Sequence, residues 1–298
     1  MTARRSPSLA QGVVRVETVA NLRRAVGVWR ADGHRVGLVP TMGALHAGHL
    51  ALVEEARRRC PRVVVSVFVN PAQFAPGEDF DAYPRDEAGD MAKLAALGVD
   101  LVFAPGRDEI YPAGFATTVT VAGAGAGLCA ATRPHFFAGV ATVVTKLLVQ
   151  CLPDVAVFGE KDYQQLVVVR RLARDLDIPV EIVGVPTVRE ADGLAMSSRN
   201  AYLTPDERRI AGGLNVLLAD VAGRVARGEA ASGALAWGRQ RLAGMGFDSI
   251  DYLELRDAET LEPVERATRP ARVLAAVRIG GARLIDNRPV APVVEAAG

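Results

Sequence analysis

A surplus of charge of either sign is the first thing this chain lacks. Its 35 Lys and Arg stand against 34 Asp and Glu, a formal net charge of +1, so it has no basic excess of the kind that draws a protein to nucleic acid or to a membrane. Cysteine is scarce: Cys60, Cys129 and Cys151 are too few and too scattered for a disulfide framework, and they fit a reducing compartment as core or surface thiols. No apolar run approaches the roughly 20 residues that span a bilayer. Behind Arg4 and Arg5 the N-terminus is polar and mixed, so no secretory signal is expected. Histidine is limited to His34, His46, His49 and His135, with no cysteine or carboxylate pair close by to complete a zinc set, so no protein-bound metal is expected. Repeats and long low-complexity segments are absent too. The default expectation is a cytoplasmic enzyme with small-molecule partners. Its 298 residues, half of them hydrophobic, suffice for one large domain or two ordinary ones.

The chain is organised around Pro40-Thr41-Met42-Gly43-Ala44-Leu45-His46-Ala47-Gly48-His49-Leu50. It follows the apolar run 35–39 and precedes the amphipathic segment 51–59, the pattern of a strand, a glycine-containing turn and a helix start. Unpaired N–H groups at a helix N-terminus, with the positive end of the macrodipole behind them, stabilise an anion. Gly43 and Gly48 permit close backbone approach. His46 and His49 share one face of the first turn and can donate to phosphoryl oxygens. Spacing alone fits a solvated helix start equally well.

A helix is expected over 16–33 and a buried central strand over 63–70, whose carboxyl end carries Asn70-Pro71-Ala72-Gln73. Ligands of open α/β sheets bind at such ends, which makes Asn70 and Gln73 candidates. Asn-Pro as an ordinary turn explains Asn70 about as well. A helix over 86–97 and a strand over 99–105 follow. The small-residue stretch 123–127 and the residues 132–137 read as a mobile loop. A helix over 138–151, a strand over 155–158, a helix over 166–176 and a strand over 180–185 repeat the rhythm, with Gly159-Glu160-Lys161-Asp162 at a strand end. A lone Lys at a helix start is usually a solvated residue, but Lys161 opposes the helix-dipole preference, a mild conflict more typical of a site. The rhythm breaks near 186–190. Met196-Ser197-Ser198-Arg199 offers hydroxyls and a planar guanidinium fork to a polyphosphate, though Ser-Ser-Arg alone is common by chance. Thr204-Pro205-Asp206-Glu207 is a helix start. Helices to about 245 and strands over 250–255, 272–279 and 283–289 complete the chain. The fold expected is α/β, a doubly wound Rossmann-like parallel sheet over 1–187, with a second, smaller α+β domain over 188–298.

Five motifs occur in order: PTMGALHAGH at 40–49, FVNPAQF at 68–74, RPHFFAGV at 133–140, GEKDYQQL at 159–166 and VREADGLAMSSRN at 188–200, with DYLELRD at 251–257. Together they resemble the pantoate–β-alanine ligase (pantothenate synthetase) family, from about residue 35 to 257. His-x-Gly-His alone would indicate only the wider nucleotidyltransferase superfamily.

The resemblance implies that ATP and pantoate form pantoyl adenylate, which the amine of β-alanine attacks to give pantothenate and AMP. It implies ATP binding by Met42, Gly43, Ala44, Leu45, His46, Ala47, Gly48 and His49, by Gly159, Glu160, Lys161 and Asp162, and by Val188, Met196, Ser197, Ser198 and Arg199. His49, His46, Lys161, Ser197 and Arg199 form the catalytic set. Gln73 and Gln165 would bind pantoate, with Asn70 beside them. Mg²⁺ would travel with ATP, the smaller domain would act as a lid, and the protein would be a homodimer. The family pattern Arg-Pro-x-His-Phe departs here: Phe136 stands at the histidine position after Arg133-Pro134-His135. Arg133 remains an additional candidate. Two other readings stay open, a plain nucleotidyltransferase acting on a phosphate substrate and a catalytically silent nucleotide-binding module.

Overall fold

A computed structural model describes residues 13–74, 78, 80, 81 and 83–293; the expected lead-in over 1–12 lies outside them. The chain runs β1 (Val14–Val16), α1 (Val19–Ala31), β2 (Val36–Thr41), α2 (Ala47–Arg59), β3 (Arg62–Val67), α3 (Glu87–Ala96), β4 (Leu101–Phe103), α4 (Arg107–Ile110), α5 (Cys129–Thr132), α6 (Phe136–Cys151), β5 (Val155–Gly159), α7 (Tyr163–Asp175) and β6 (Glu181–Val185). Then come α8 (Pro205–Ala226), α9 (Ala231–Ala243), β7 (Ser249–Asp257), β8 (Ala271–Ile279) and β9 (Ala282–Val290).

Strands β1 to β6 form one parallel sheet in the order β1-β4-β3-β2-β5-β6. The continuous apolar run of β3 follows from burial on both faces. Val63 and Val65 enter the core beneath α2 and α3, while Val64 enters the core beneath α1, α6 and α7. Each fully buried side chain of this kind stabilises the fold by about 1.5–3 kcal/mol relative to exposure. The order reverses between β2 and β5, and a crevice opens there beyond the carboxyl ends of the strands. The motifs at 40–49 and 159–166 flank that crevice.

Strands β7, β8 and β9 form an antiparallel sheet packed against α8 and α9. Leu214, Leu218, Val221, Leu253, Val273 and Val277 belong to its core. The opposite face contributes Leu274 to the core of the parallel sheet, with Tyr252 and Ile285 packed against it. Helix α8 starts as expected. Thr204 Oγ1 accepts from Glu207 N at 3.3 Å, Glu207 Oε2 accepts from Thr204 N at 2.8 Å, and Pro205 is the first helical residue.

Several expected boundaries shift. Val14–Val16 is an edge strand rather than lead-in and helix, because Thr18 caps α1 by accepting from Asn21 N at 3.2 Å. Helix α7 starts at Tyr163 rather than 166, running on from a single 3-10 turn at Glu160–Asp162. The segment expected to be a mobile loop is tied down by Gln164. Its Nε2 donates to the carbonyls of Ala124, Ala126 and Gly127 at 3.1–3.2 Å, and its Oε1 accepts from Cys129 N at 3.1 Å. All three thiols are buried and free.

Candidate active site

The turn after β2 bends back at Gly43, where φ is +83°. A Cβ there would lie 3.2 Å from both Asp90 Oδ2 and Val67 Cγ1, so a side chain would be strained by conformation and crowded by its neighbours. The amides of the turn that precedes the helix start are not open to a ligand. Ala44 N and Leu45 N donate to the buried Asp90 carboxylate at 2.8 and 2.7 Å. Asp90, from α3, is itself the anion that the turn amides stabilise, and Lys93 braces the arrangement by donating to Leu45 O at 2.8 Å. The sequence reading missed Asp90, since nothing local marks a carboxylate some 45 residues away as a partner of this turn.

What the turn presents instead is the histidine pair. His46 is the N-cap of α2, its Nδ1 accepting from Gly48 N at 3.1 Å; His49 Nδ1 accepts from His46 N at 3.4 Å. With Nδ1 an acceptor in both rings, each neutral imidazole carries its proton on Nε2. The rings lie 4.1 Å apart between centroids. Burial first and the Lys161 charge next lower the His46 pKa to about 4. Burial, His46 and Lys161 lower that of His49 to about 3. The pair is therefore two neutral donors at neutral pH.

Met42, His46, Gly48 and His49 line a cavity of about 580 Å³. Gly43, Ala44, Leu45 and Ala47 support the turn without lining it. Across the switch point Gly159, Lys161 and Asp162 line the same cavity, the Lys161 ammonium 3.8 Å from the Asp162 carboxylate. Glu160 turns away and pairs with Arg272 of β8 at 2.7 Å.

The segment 188–200 folds as a hairpin closed by an Arg189–Ala195 bridge, and it brings Val188, Met196, Ser197, Ser198 and Arg199 to the cavity wall. Asn200 braces it, donating to Glu190 Oε1 at 2.6 Å and to Ala195 O at 3.1 Å. A Cβ on Gly48 would fall 2.8 Å from the His46 ring and 3.7 Å from Met196 Cβ, so the hairpin closes directly over the His-x-Gly-His turn. The two expected phosphate-facing ends share one cleft.

The pantoate candidates separate by role. Gln73 lines the cavity, its Nε2 facing the weak acceptor Met42 Sδ at 3.1 Å. Asn70 is 1% exposed and its amide is committed. It donates to Gln73 Oε1 and Gly139 O at 3.1 Å and accepts from Ala72 N at 3.3 Å and Tyr111 Oη at 2.7 Å. Its donors and acceptors are all used within the protein, so it orients Gln73. Gln165 lines the cavity while its neighbour Gln164 holds the 124–129 segment. Arg133 grips Glu78 through two hydrogen bonds of 2.7 and 2.6 Å and Gln73 O at 3.0 Å, and it stacks 4.0 Å over Phe136. Phe136 lines the cavity at the position expected for histidine; His135 is exposed and does not line it. From the second sheet, Tyr252 and Arg283 reach the cavity and meet Cys129 Sγ, at 3.2 Å from the phenol and 3.5 Å from the nearer guanidinium nitrogen. Burial pushes the Tyr252 phenol up.

The family model for pantoate-beta-alanine ligase matches residues 14–289. The pantothenate synthetase of Paramagnetospirillum magneticum is 60% identical over 277 residues, 93% of this chain and 98% of that one. The crystal structure of pantothenate synthetase from Thermus thermophilus superposes with a TM-score of 0.88 at 52% identity, over 94% of this chain and 100% of that one. The pantoate-beta-alanine ligase of Francisella tularensis superposes at 0.77 with 31% identity, over 93% and 97%. A crevice at the sheet's switch point lined by the expected motifs, together with these matches along nearly the whole chain, places the protein in the pantoate–β-alanine ligase family.

Proposed function

We propose that the cleft condenses (R)-pantoate with β-alanine in two half-reactions, first forming pantoyl adenylate and pyrophosphate from ATP, then pantothenate and AMP. The observation that carries this is the meeting of the histidine pair, the Lys161 turn and the Ser197–Arg199 hairpin around one cavity that Gln73 and Gln165 also line. The Francisella tularensis relative was crystallised as a complex with beta-gamma ATP and beta-alanine, which supports the choice of substrates.

A carboxylate is a poor acyl electrophile because oxide would have to leave. Attack of a pantoate carboxylate oxygen on the α-phosphorus forms the mixed anhydride as the bond to the β-phosphate oxygen breaks, and pyrophosphate takes that electron pair. Neutral Nε2–H donors from His46 and His49 stabilise the charge growing on the phosphoryl oxygens, and Lys161, Ser197 and Arg199 stabilise the departing pyrophosphate. Gln73 and Gln165 orient pantoate. Mg²⁺ enters as MgATP, held through phosphates and water. The neutral amine of β-alanine then attacks the acyl carbon, the bond from that carbon to the phosphate oxygen breaks with its electron pair leaving on AMP, and the nitrogen loses a proton to solvent. Residues 188–298 act as a lid that keeps water from the anhydride.

Homodimer formation is supported by residues 117–121, Thr-Thr-Val-Thr-Val. Val119 and Val121 pack inward and Thr118 and Thr120 are exposed, the period of a strand, with no strand pairing to them among the described residues. Sedimentation equilibrium showing a monomer would remove this part of the reading. The three buried free thiols support a cytoplasmic location. No helix among the described residues is long and apolar enough to cross a membrane.

The test is exchange of labelled pyrophosphate into ATP, expected with pantoate alone, and AMP release, expected only once β-alanine is added. Exchange that ignores pantoate and responds to a phosphorylated substrate would establish the nucleotidyltransferase reading instead.

A further inference from the structure

Two elements on which the polyphosphate grip depends are held from β9 by adjacent residues. Asn287, 3% exposed, donates from Nδ2 to Glu160 O at 2.8 Å and to Lys161 O at 3.0 Å. Those are the carbonyls of the 3-10 turn that carries Lys161, a turn with no side-chain cap of its own. Asn287 Oδ1 accepts from Arg272, which stacks 3.8 Å over the Tyr163 ring and pairs with Glu160 Oε2 at 2.7 Å. One residue earlier, the buried Asp286 accepts two hydrogen bonds from Arg189 at 2.7 and 2.9 Å. Arg189 is the base of the Ser197–Arg199 hairpin and also donates to Gly193 O at 3.1 Å. Successive residues of a strand point to opposite sides, so one strand can hold the turn on one side and the hairpin on the other.

We infer that Asn287 is a positioning residue for the ligation: through the Glu160 and Lys161 carbonyls it sets the Lys161 turn in register with the Asp286-held hairpin. This rests on the reading of Lys161 and the hairpin as the grip on the leaving pyrophosphate. The lid thus does more than cover the site, because its strand β9 determines the spacing of the groups that meet the triphosphate. A preorganised donor is effective only within a few tenths of an ångström of its place, and misplacement by about 1 Å costs about 10²-fold in rate.

Asn287→Asp separates this role from simple structural support. It keeps the size and gives Arg272 a carboxylate partner, while removing both donors to the turn. Pantoate-dependent pyrophosphate exchange is expected to fall about 10- to 100-fold. Aminolysis of supplied pantoyl adenylate by β-alanine, which does not use the pyrophosphate grip, is expected to stay within about threefold of wild type. In a Lys161→Ala background Asn287→Asp is expected to add no further loss, because the two residues act on one step. Additive losses, or equal losses in both half-reactions, would assign Asn287 a merely structural role and overturn the inference. Undiminished exchange would do the same. Asn287→Ser, smaller and uncharged, carries the same comparison if the aspartate variant does not fold. A wild-type protein with no pantoate-dependent exchange overturns the ligase reading, and this inference with it.

Discussion

At the scale of single residues, the histidine pair offers protons to the cavity without carrying charge. His46 and His49 are held neutral by burial and by the nearby Lys161, and their Nδ1 atoms are occupied by backbone N–H groups. Replacing His49 with alanine removes one of the two donors proposed to meet the developing charge. The expected consequence is a fall of roughly 10²-fold or more in pyrophosphate exchange, and an unchanged rate would refute the assignment. The same depressed pKa values make stability depend on pH. The unfolded chain takes up a proton at each of these rings near the ordinary value of 6.5, while the fold resists it down to about 4 for His46 and about 3 for His49. Their neutral state therefore costs the fold nothing above pH 6.5, and stability declines as pH falls from 6.5 toward 3. Thermal melts of His49→Gln at pH 7, 6 and 5 should show a shallower loss than wild type; parallel curves would count against the depressed value.

At the scale of elements, close packing determines where the Gln73 amide sits. Helix α6 passes so near the Pro71–Gln73 turn that a Cβ on Gly139 would lie 2.2 Å from Ala72 O and 2.9 Å from Gln73 N. Gly139→Ala must push the turn away, displacing Gln73 and breaking the Asn70–Gly139 contact. It should destabilise the protein by about 1–3 kcal/mol and raise the KM for pantoate more than that for ATP. Steady-state kinetics with each substrate varied in turn decides it. A contrast comes from the start of α8, remote in role from the chemistry. Thr204→Ala removes the capping box and is expected to lower stability by about 1 kcal/mol, with kcat/KM for both substrates unchanged.

At the scale of the whole molecule, the two sheets are joined by buried polar groups as well as by Leu274 and its neighbours. Arg272 of β8 pairs with Glu160 and Asn287 of β9 donates to the Glu160 carbonyl, both across the crevice, and a ligand bound in that crevice touches both halves. MgATP at about 100 times its Kd should raise the stability to unfolding by about 2.7 kcal/mol, read as a rise in melting temperature, and pantoate should add to it. A melting temperature indifferent to MgATP would argue that the cavity does not hold the nucleotide.

The sequence by itself determined the parallel α/β rhythm, because a strand buried on both faces, such as Val63-Val64-Val65, has to be apolar throughout, and because glycine and capping residues mark where such strands hand over to helices. It also determined which motifs to watch, since His46, His49, Lys161 and Ser197–Arg199 are polar groups placed at strand ends or in a loop. Only the tertiary structure decided how they are used. Asp90 captures the Ala44 and Leu45 amides, Asn70 is spent on orienting Gln73, Gln164 rather than Gln165 ties down the 124–129 segment, and Glu160 leaves the cavity for Arg272. Each of these outcomes depends on a partner far away in the chain or on burial in three dimensions. Local pattern carries the periodicity of an element, but it carries no record of which distant donor meets which acceptor once water is excluded.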